Sequence, residues 1–500
     1  NSSESAGSDC AASVLKSAMM YRETQMDAGK DRCPPCDGPG SRSMKLELAR
    51  RLMKEGRPGA AVSILRPKPP IRSDDLEADC LLAAALYRSG NPSAGLAVCD
   101  RVASCHPHNP YTHHIRGLCL AALGKRQQAI EAFLTNTRHN PMAWRSWNSI
   151  ADITSREEER LASIHQAARV LLAICQRRPV HSGLLRHCTQ ALICAGRPAD
   201  AVRFAAARFE DFGSREQASE NLARALYVDG AFEDAAFFAS AALAGSPAWH
   251  SEPSTPPNNF KPELAIQAAK DVLTLLSAAG LTGFLTGGTL LGFVRSGAPL
   301  PYDRDVDIGI LCDRHARPDI TKILREHPSI QLARSARAGD RYIGLTLRQA
   351  AVDLFLYEAE GPYRLCGFSD HPGEIQWRFS GFGISRKTWQ GASWSIPDHP
   401  DRLLSETYGR AWRKPDKDFS SVLSSPALYM TNPYTRTFYA AMRSLRLLRK
   451  GRHDKAISMM KQAPHRLCEQ DVPIHNHALS GQLTALRRTY GPDIRSAIPD

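Results

Sequence analysis

LTGGTLLGFVRSGAPLPYDRDVDIG, residues 285–309, joins a glycine-rich turn to three closely spaced aspartates, Asp303, Asp305 and Asp307. Successive side chains of a strand point to opposite faces, so a spacing of two predicts that all three carboxylates share one face. Three like charges on one face repel each other unless a cation lies among them. Hard oxygen ligands of this kind suit Mg²⁺ or Mn²⁺, so the stretch predicts a divalent-metal site.

The glycines that precede the aspartates predict a phosphate site. We expect a short buried strand, a tight turn at Gly287 and Gly288, and then a helix. Glycine allows a phosphate to approach the backbone N–H groups of a helix N-terminus, where the helix dipole also favours an anion. The candidate phosphate-binding residues are Gly287, Gly288, Thr289 and Arg295. Taken alone, the glycines could be a simple turn, and the aspartates a solvated loop or an incidental calcium site.

The segment GGTLLGFVRSGAPLPYDRDVDIGI, residues 287–310, resembles the signature of the LicD and fukutin-related protein family, which has the nucleotidyltransferase fold. The resemblance implies a small mixed sheet flanked by helices, with Asp305 and Asp307 as the metal-holding pair and Asp303 as the acidic position before it. It also implies a third carboxylate on a neighbouring strand. Asp353 is the candidate because it is the one charge in the apolar run AVDLFLY, residues 351–357, where an unpaired carboxylate is costly.

A second segment, WSIPDHPDRLLSETYG at residues 394–409, is similar to the closing part of the same family. We expect it to shape and close the substrate pocket, with Trp377, Trp394 and Tyr408 as candidate pocket residues. Aromatic side chains there could enclose a choline ammonium, stack on a sugar or belong to the core. The resemblance covers residues 262–430, about a third of the chain.

The N-terminal half repeats itself. Gly56, Gly90, Gly124, Gly196 and Gly230 lie 34, 34, 72 and 34 residues apart, and a small residue follows each one five positions later. This pattern is typical of tetratricopeptide repeats and predicts a TPR-like α-solenoid. Such a solenoid usually binds a protein partner in its groove, although a rigid spacer or a dimerisation element is an alternative.

The fold class expected is therefore multidomain, combining α and α/β parts. Gly451 and Ala456 repeat the glycine-plus-five pattern after the catalytic region and predict one further helical hairpin. The predicted divisions are a disordered leader at 1–42, TPR-like repeats at 43–248, a linker at 249–262, the nucleotidyltransferase-fold domain at 263–430, and a C-terminal helical hairpin and tail at 431–500.

The chain of 500 residues has a net charge of +13, and the excess is concentrated near its end. Residues 431–500 contain 12 basic and 5 acidic side chains, most densely at Arg443, Arg446, Arg449, Lys450 and Arg452. A solvated helix face is the favoured interpretation, and contact with an anionic glycan or lipid surface is the alternative. No aromatic-interleaved basic motif accompanies the cluster, so nucleic acid is not favoured.

The 13 cysteines are an odd number and occur mostly singly within helical patterns, which favours a reducing compartment such as the cytoplasm. The sequence begins at Asn1, so the lumen of the secretory pathway stays open. No apolar run reaches 18 residues, and no transmembrane segment is predicted in this chain. Cys33 and Cys36 have metal or redox spacing but no partner pair, which makes them a weak signal.

The family resemblance implies a metal-dependent transferase. It would move phosphocholine or an alditol phosphate, such as ribitol or glycerol phosphate, from a CDP-activated donor to a hydroxyl of a glycan, releasing CMP. Asp305, Asp307 and Asp353 would be the catalytic residues, and together with Asp303 they would be the ligands of Mg²⁺ or Mn²⁺. Asp353 would complete the metal shell and also act as the general base. Two alternatives stay open: a true nucleotidyltransferase that moves a nucleoside monophosphate, and a TPR scaffold with a vestigial catalytic fold.

Overall fold

The structure, a computed structural model, describes residues 39–66, 75–177, 180–252, 261–301, 303, 305–465 and 480–490. These residues form two compact units, one up to Ile174 and one from Cys175 onward. The predicted leader lies outside the described residues as far as residue 38, and so do Cys33 and Cys36. None of the described helices is both long and apolar enough to cross a membrane.

The first unit consists of helices that pack in consecutive pairs. They are α1 (Pro39–Lys54), α2 (Pro58–Leu65), α3 (Leu76–Arg88), α4 (Pro92–Cys105), α5 (Pro110–Ala122), α6 (Arg126–His139), α7 (Trp144–Ile153) and α8 (Glu157–Gln176), whose last two residues belong to the second unit. Gly56, Gly90 and Gly124 end the first helix of their pairs with φ between +73° and +83°, a conformation that glycine adopts without steric cost.

The small residues five positions later lie where the paired helices meet. Ala61 and Ala129 are fully buried, and a Cβ atom on Gly95 would lie 3.0 Å from the Cys119 sulfur. A larger side chain at these positions would force the helices apart. The predicted TPR-like helix pairs are thus confirmed, including the reason for their small residues.

The second unit begins with two more helix pairs. They are α9 (Ser182–Cys194) with α10 (Pro198–Ala207), and α11 (Arg215–Val228) with α12 (Phe232–Ala244). Gly196 and Gly230 again have positive φ, and Ala201 and Ala235 are fully buried.

A mixed sheet follows, as the fold-class prediction requires. The elements are α13 (Pro262–Ala278), β1 (Thr282–Leu285), α14 (Gly287–Ser296), β2 (Asp305–Asp313), α15 (Ile320–Glu326), β3 (Ile330–Leu332), β4 (Tyr342–Leu347), β5 (Ala350–Glu360), β6 (Tyr363–Gly367) and β7 (Gln376–Ser380). The strand order is β1-β2-β5-β4-β3, and β6 and β7 extend from β5. Only the β2–β5 pair is parallel among these described strands.

The parallel pair lies at the centre of the domain. Ile308, Ile310, Val352 and Leu354 are almost completely buried, and α13 packs on β1, β2 and β5. Parallel strands are usually covered on both faces, which explains these nearly continuous apolar runs. A charged residue within them, such as Asp353, is therefore exceptional and needs a compensating environment.

The remaining elements close the domain and end the described chain. They are β8 (Ile384–Trp389), β9 (Ala392–Pro397), α16 (Pro400–Tyr408), α17 (Ser421–Ser424), α18 (Pro433–Leu448), α19 (His453–Lys461) and α20 (Ser480–Tyr490). Strands β8 and β9 form a separate antiparallel pair, and Leu403 and Leu404 bury one face of α16.

The hairpin α18–α19 packs on the helix pair α11–α12. Tyr227 of α11 stacks on Phe438 of α18 with ring centroids 4.3 Å apart, and its hydroxyl lies 2.8 Å from that of Tyr439. Arg449, at the end of α18, donates to Glu216 at 2.8 Å and to Glu220 at 2.7 Å. Helices α18 and α19 therefore continue the stack of helix pairs, and residues 261–430 lie between two consecutive pairs in the chain.

Candidate functional site

The glycine turn is tied to the first residues of β2. Helix α14 begins at Gly287, two residues earlier than predicted, and Gly287 has a φ of +53°. The Gly288 N–H donates to Asp307 Oδ2 at 2.7 Å, and the Asp307 N–H donates to Thr289 Oγ1 at 2.9 Å. The side chain of Asp307 is thus held directly at the N-terminus of α14.

The glycines are required here because the carboxylates approach the backbone closely. A Cβ atom on Gly287 would overlap the Asp307 carboxylate. A Cβ atom on Gly288 would lie 3.2 Å from Asp303 Oδ2 and 3.3 Å from Asp307 Oδ2. Two carboxylates therefore converge on the same short piece of backbone.

Asp303 reaches this point from a turn rather than from the strand. Its N–H donates to the Leu300 carbonyl at 3.0 Å, and β2 begins only at Asp305. The prediction that all three aspartates lie on one strand is therefore wrong for Asp303. The chain is still turning after Pro299 when it passes Asp303, so strand alternation does not apply there.

Asp353 lies beside this pair on the neighbouring strand. In the parallel β2–β5 pairing, Asp307 and Asp353 are register partners, so their side chains emerge on the same face of the sheet. Asp353 is buried, with 4% of its surface exposed, and its Oδ1 accepts a 2.9 Å hydrogen bond from the Tyr342 hydroxyl. The predicted position of a third carboxylate on an adjacent strand is confirmed, and its catalytic role stays a prediction.

The four residues Asp303, Asp305, Asp307 and Asp353, called here the aspartate cluster, place like charges close together. Burial, and then the charge of Asp305, raises the pKa of Asp307 to about 7. Burial, followed by the charges of Asp305 and Asp307, raises the pKa of Asp353 well above its usual range. The arrangement is electrostatically unfavourable for the protein alone and would be relieved by positive charge.

The cluster suits a cation that is shared with a substrate. Among the described residues, no three His, Cys, Asp or Glu side chains are close enough together to form a complete metal cage. Mg²⁺ commonly uses only one or two carboxylates and completes its shell with waters and substrate phosphates. The hard oxygens of Asp305 and Asp307 and the glycine cradle beside them fit that mode of binding by Mg²⁺ or Mn²⁺.

A cavity of about 930 Å³ opens in front of the cluster. Gly288, Asp303 and Asp305 line one side of it, and Tyr408 lies in its lining as predicted. A cavity of this size can hold a nucleotide-sized ligand. Asp303 and Asp305 therefore face a space in which a substrate could lie, whereas Asp307 and Asp353 are not part of its lining.

The other two predicted aromatic residues are not in that lining. Trp377 and Trp394 are buried in the domain core, with 6% and 2% of their surfaces exposed. Their indole N–H groups donate to the carbonyls of Ser421 and Trp389. The sequence left open whether these rings enclose a choline ammonium, stack on a sugar or belong to the core. The structure favours the core for both tryptophans.

Arg295 lines the cavity, but its guanidinium is engaged with backbone. Its Nη2 donates to the carbonyl oxygens of Trp412 and Lys414, the latter at 3.0 Å. These contacts join α14 to the segment that follows α16. A phosphate contact by Arg295 stays a prediction.

The sequence did not identify the residues on the far side of the cavity. Arg443 and Arg446 of α18, together with Arg452 and Lys455 at the start of α19, lie in its lining. The basic cluster near the chain end is thus not a single solvated face, because Arg449 contacts α11 while its neighbours face the cavity. The density of basic residues near the chain end was the one available sign of these cavity residues in the sequence. The sequence could not show that they lie opposite the aspartates.

Comparison with protein families supports the resemblance noted in the sequence. The family model described as "LicD/FKTN/FKRP, nucleotidyltransferase domain" matches residues 280–344. The match includes the glycine turn and Asp303, Asp305 and Asp307 but ends before Asp353. It indicates a transferase-type domain in this part of the chain.

Similar solved structures include helical-repeat proteins. MamA from Desulfovibrio magneticus RS-1 is 14% identical, with a TM-score of 0.25, over 39% of this chain and 97% of that one. A tetratricopeptide repeat protein from Parabacteroides merdae is also 14% identical, with a TM-score of 0.22, over 41% of this chain and 94% of that one. A comparison with curated proteins found no significant match.

Proposed function

We propose that residues 261–430 form a metal-dependent transferase domain. It moves a phospho-substituent, phosphocholine or an alditol phosphate, from a CDP-activated donor to a hydroxyl of a glycan and releases CMP. The observation that carries the proposal is the register pairing of Asp307 with Asp353 beside the glycine-led N-terminus of α14, at the edge of a nucleotide-sized cavity.

The residues of the site have distinct parts in this chemistry. Gly287 and Gly288 let phosphate oxygens approach the start of α14, where the helix dipole favours negative charge. Asp305 and Asp307 would hold Mg²⁺ or Mn²⁺, which would neutralise charge on the transferred phosphoryl group and orient it. Asp353 would accept the proton of the attacking hydroxyl, and the hydrogen bond that the Tyr342 hydroxyl donates to its carboxylate supports this role.

A thermal-shift panel tests the proposal. CDP-choline, CDP-ribitol and CDP-glycerol are added with and without Mg²⁺ to the wild type, to Asp305→Asn and to Asp313→Asn. Asp313 is a matched control because it lies at the opposite, exposed end of the same strand. We expect at least one donor to stabilise the wild type and Asp313→Asn in the presence of Mg²⁺, and Asp305→Asn to lose that effect. If no donor gives a shift that Asp305→Asn abolishes, the proposal fails.

The released product distinguishes the two transferase classes. Release of CMP supports movement of the phospho-substituent. Release of pyrophosphate from a nucleoside triphosphate would instead support a true nucleotidyltransferase at the same aspartates. The absence of any turnover with intact nucleotide binding would favour the scaffold alternative.

A further inference from the structure

We propose that the C-terminal hairpin α18–α19 is part of the substrate site and binds a phosphate group through Arg443, Arg446, Arg452 and Lys455, called here the basic face. The proposal rests on the proposed function for the identity of the substrate, but not for the existence of an anion site. The phosphate is either the diphosphate of the donor or a phosphate ester on the acceptor. Both present the same chemistry to a guanidinium.

The first support is position. The basic face lines the same cavity as Asp303 and Asp305 of the aspartate cluster, although these two aspartates are more than a hundred positions away from it in the chain. Arg443 and Arg446 are three residues apart on α18 and are therefore neighbours on its surface. Arg452 and Lys455 extend the face onto the start of α19.

The second support is the environment of Arg443. Its Nη1 donates to Ser420 Oγ at 2.6 Å, and its guanidinium lies 5.9 Å from the ring centre of Tyr439. Burial lowers the pKa of Arg443, and the charge of Asp305 is near enough to act in the opposite direction. An arginine remains charged under these conditions, so a fixed cation faces the aspartate cluster across the cavity.

The third support is the charge balance of the lining. Seven basic side chains and four carboxylates line the cavity, and Asp303 and Asp305 account for two of those carboxylates. Away from the aspartate cluster the lining is therefore mainly basic, although Asp416 and Asp418 are also present. Guanidinium groups bind phosphate through paired hydrogen bonds, whereas a neutral sugar has no need of such a concentration of cations.

The fourth support is that the hairpin is fixed from its other side. Arg449 is held by Glu216 and Glu220, and His453 Nε2 lies 3.0 Å from the Ala248 carbonyl. Arg449 is six residues from Arg443 and three from Arg446, so it is turned about a third of a helical turn from the first and about a sixth from the second, further towards α11. One side of the hairpin therefore docks on the helix pairs while the other presents cations to the cavity.

Calorimetric titration of the full chain tests the proposal. The probes are CDP, cytidine and glucose 6-phosphate, each with Mg²⁺, and the variants are Arg446→Gln, Lys455→Gln and the double variant. Lys461→Gln is the matched control, because it removes the same charge from α19 at an exposed position outside the cavity lining. We expect about a 10-fold weaker binding of a phosphate-bearing probe in each single variant, no effect of Lys461→Gln, and no change for cytidine.

The probes also identify the source of the phosphate. Weaker binding of CDP assigns the basic face to the donor, and weaker binding of glucose 6-phosphate alone assigns it to the acceptor. Arg446→Lys keeps the charge and should recover part of the affinity, which separates the loss of a cation from damage to the fold. Wild-type affinity for both phosphate probes in the double variant would overturn the proposal.

The outcome for Asp305→Asn separates this proposal from the proposed function. If the basic-face variants lose phosphate binding while Asp305→Asn retains Mg²⁺-dependent donor binding, the anion site stands and the proposed metal site fails. The reverse result removes the basic face and leaves the proposed function intact.

Discussion

The second unit contains two groups of carboxylates with opposite electrostatic surroundings, the aspartate cluster and the glutamates Glu216 and Glu220 at the docked hairpin. In the aspartate cluster, carboxylates lie beside one another, and burial with mutual repulsion raises the pKa of Asp307 to about 7. At the docked hairpin, Glu220 is partly buried, but Arg224 and Arg449 outweigh the effect of burial and lower its pKa to about 2. The second arrangement stabilises the fold and the first does not, which supports the proposal that the aspartates bind a ligand.

The largest effect is expected for Asp307→Asn. The amide can still accept the Gly288 N–H, but it removes a charge from the proposed metal pair, so turnover should fall by at least about 100-fold. Melting temperature in metal-free buffer at pH 8 should rise, because one of several neighbouring like charges is lost. CMP release and scanning fluorimetry measure the two effects. Retained turnover together with a lower melting temperature would contradict the assignment.

A smaller loss of turnover, about 10-fold, is expected for Gly288→Ala. The new methyl group would press against the carboxylates of Asp303 and Asp307 and displace them. Gly124→Ala is the matched control, since Gly124 has a φ of +75° but no atom near its Cβ position. It should cost about 1 kcal/mol of stability and leave turnover unchanged. Equal effects of the two variants on turnover would show that the carboxylates do not depend on the glycine.

At the docked hairpin the effect should be on stability alone. Glu220→Gln removes the charge partner of Arg449 and Arg224 and should lower the free energy of unfolding by about 1–2 kcal/mol, a figure reduced for the partial exposure of both arginines. Urea denaturation measures it, with the exposed Glu131→Gln as the control. A loss of turnover larger than the loss of folded protein would show that hairpin docking also governs the active site.

The smallest effect is the pH dependence of that same contact. The folded pKa of Glu220 lies below its ordinary value of 4.5, so its contribution is present above pH 4.5 and is lost as the pH falls towards 2. The difference in unfolding free energy between wild type and Glu220→Gln should therefore shrink over that range. A difference that stays constant between pH 5 and 2.5 would show that the charge of Glu220 is not what stabilises the hairpin.

The sequence was most informative where local rules decide the structure. The glycine spacing predicted the helix pairs because each pair needs a glycine with positive φ at the end of its first helix. Each pair also needs a small residue, five positions later, where the two helices meet. Asp353 could be found because the family resemblance implies a third carboxylate on a neighbouring strand, and a single carboxylate in an apolar strand is costly unless it is hydrogen-bonded or binds a ligand. Asp303 was misplaced because strand alternation cannot show where a strand begins.

Contacts between residues that are far apart in the chain could not be predicted from the sequence. The segment at 431–500 predicted a helical hairpin, but not that Arg449 would pair with Glu216, more than two hundred residues earlier. For the same reason, Arg443 and Arg446 could not be distinguished from a solvated face. Trp377 and Trp394 were ambiguous because aromatic side chains suit a core and a binding pocket equally well.

The position of residues 261–430 between two helix pairs also sets an order of events during synthesis. Chains fold largely from the N-terminus as they emerge, so α11 and α12 can form before the sheet and long before the hairpin. Until α18 has been made, Tyr227 lacks Phe438 and the cavity lacks its basic face. A nascent chain that has already completed the aspartate cluster would thus still lack the far side of the cavity until α18 and α19 have been made.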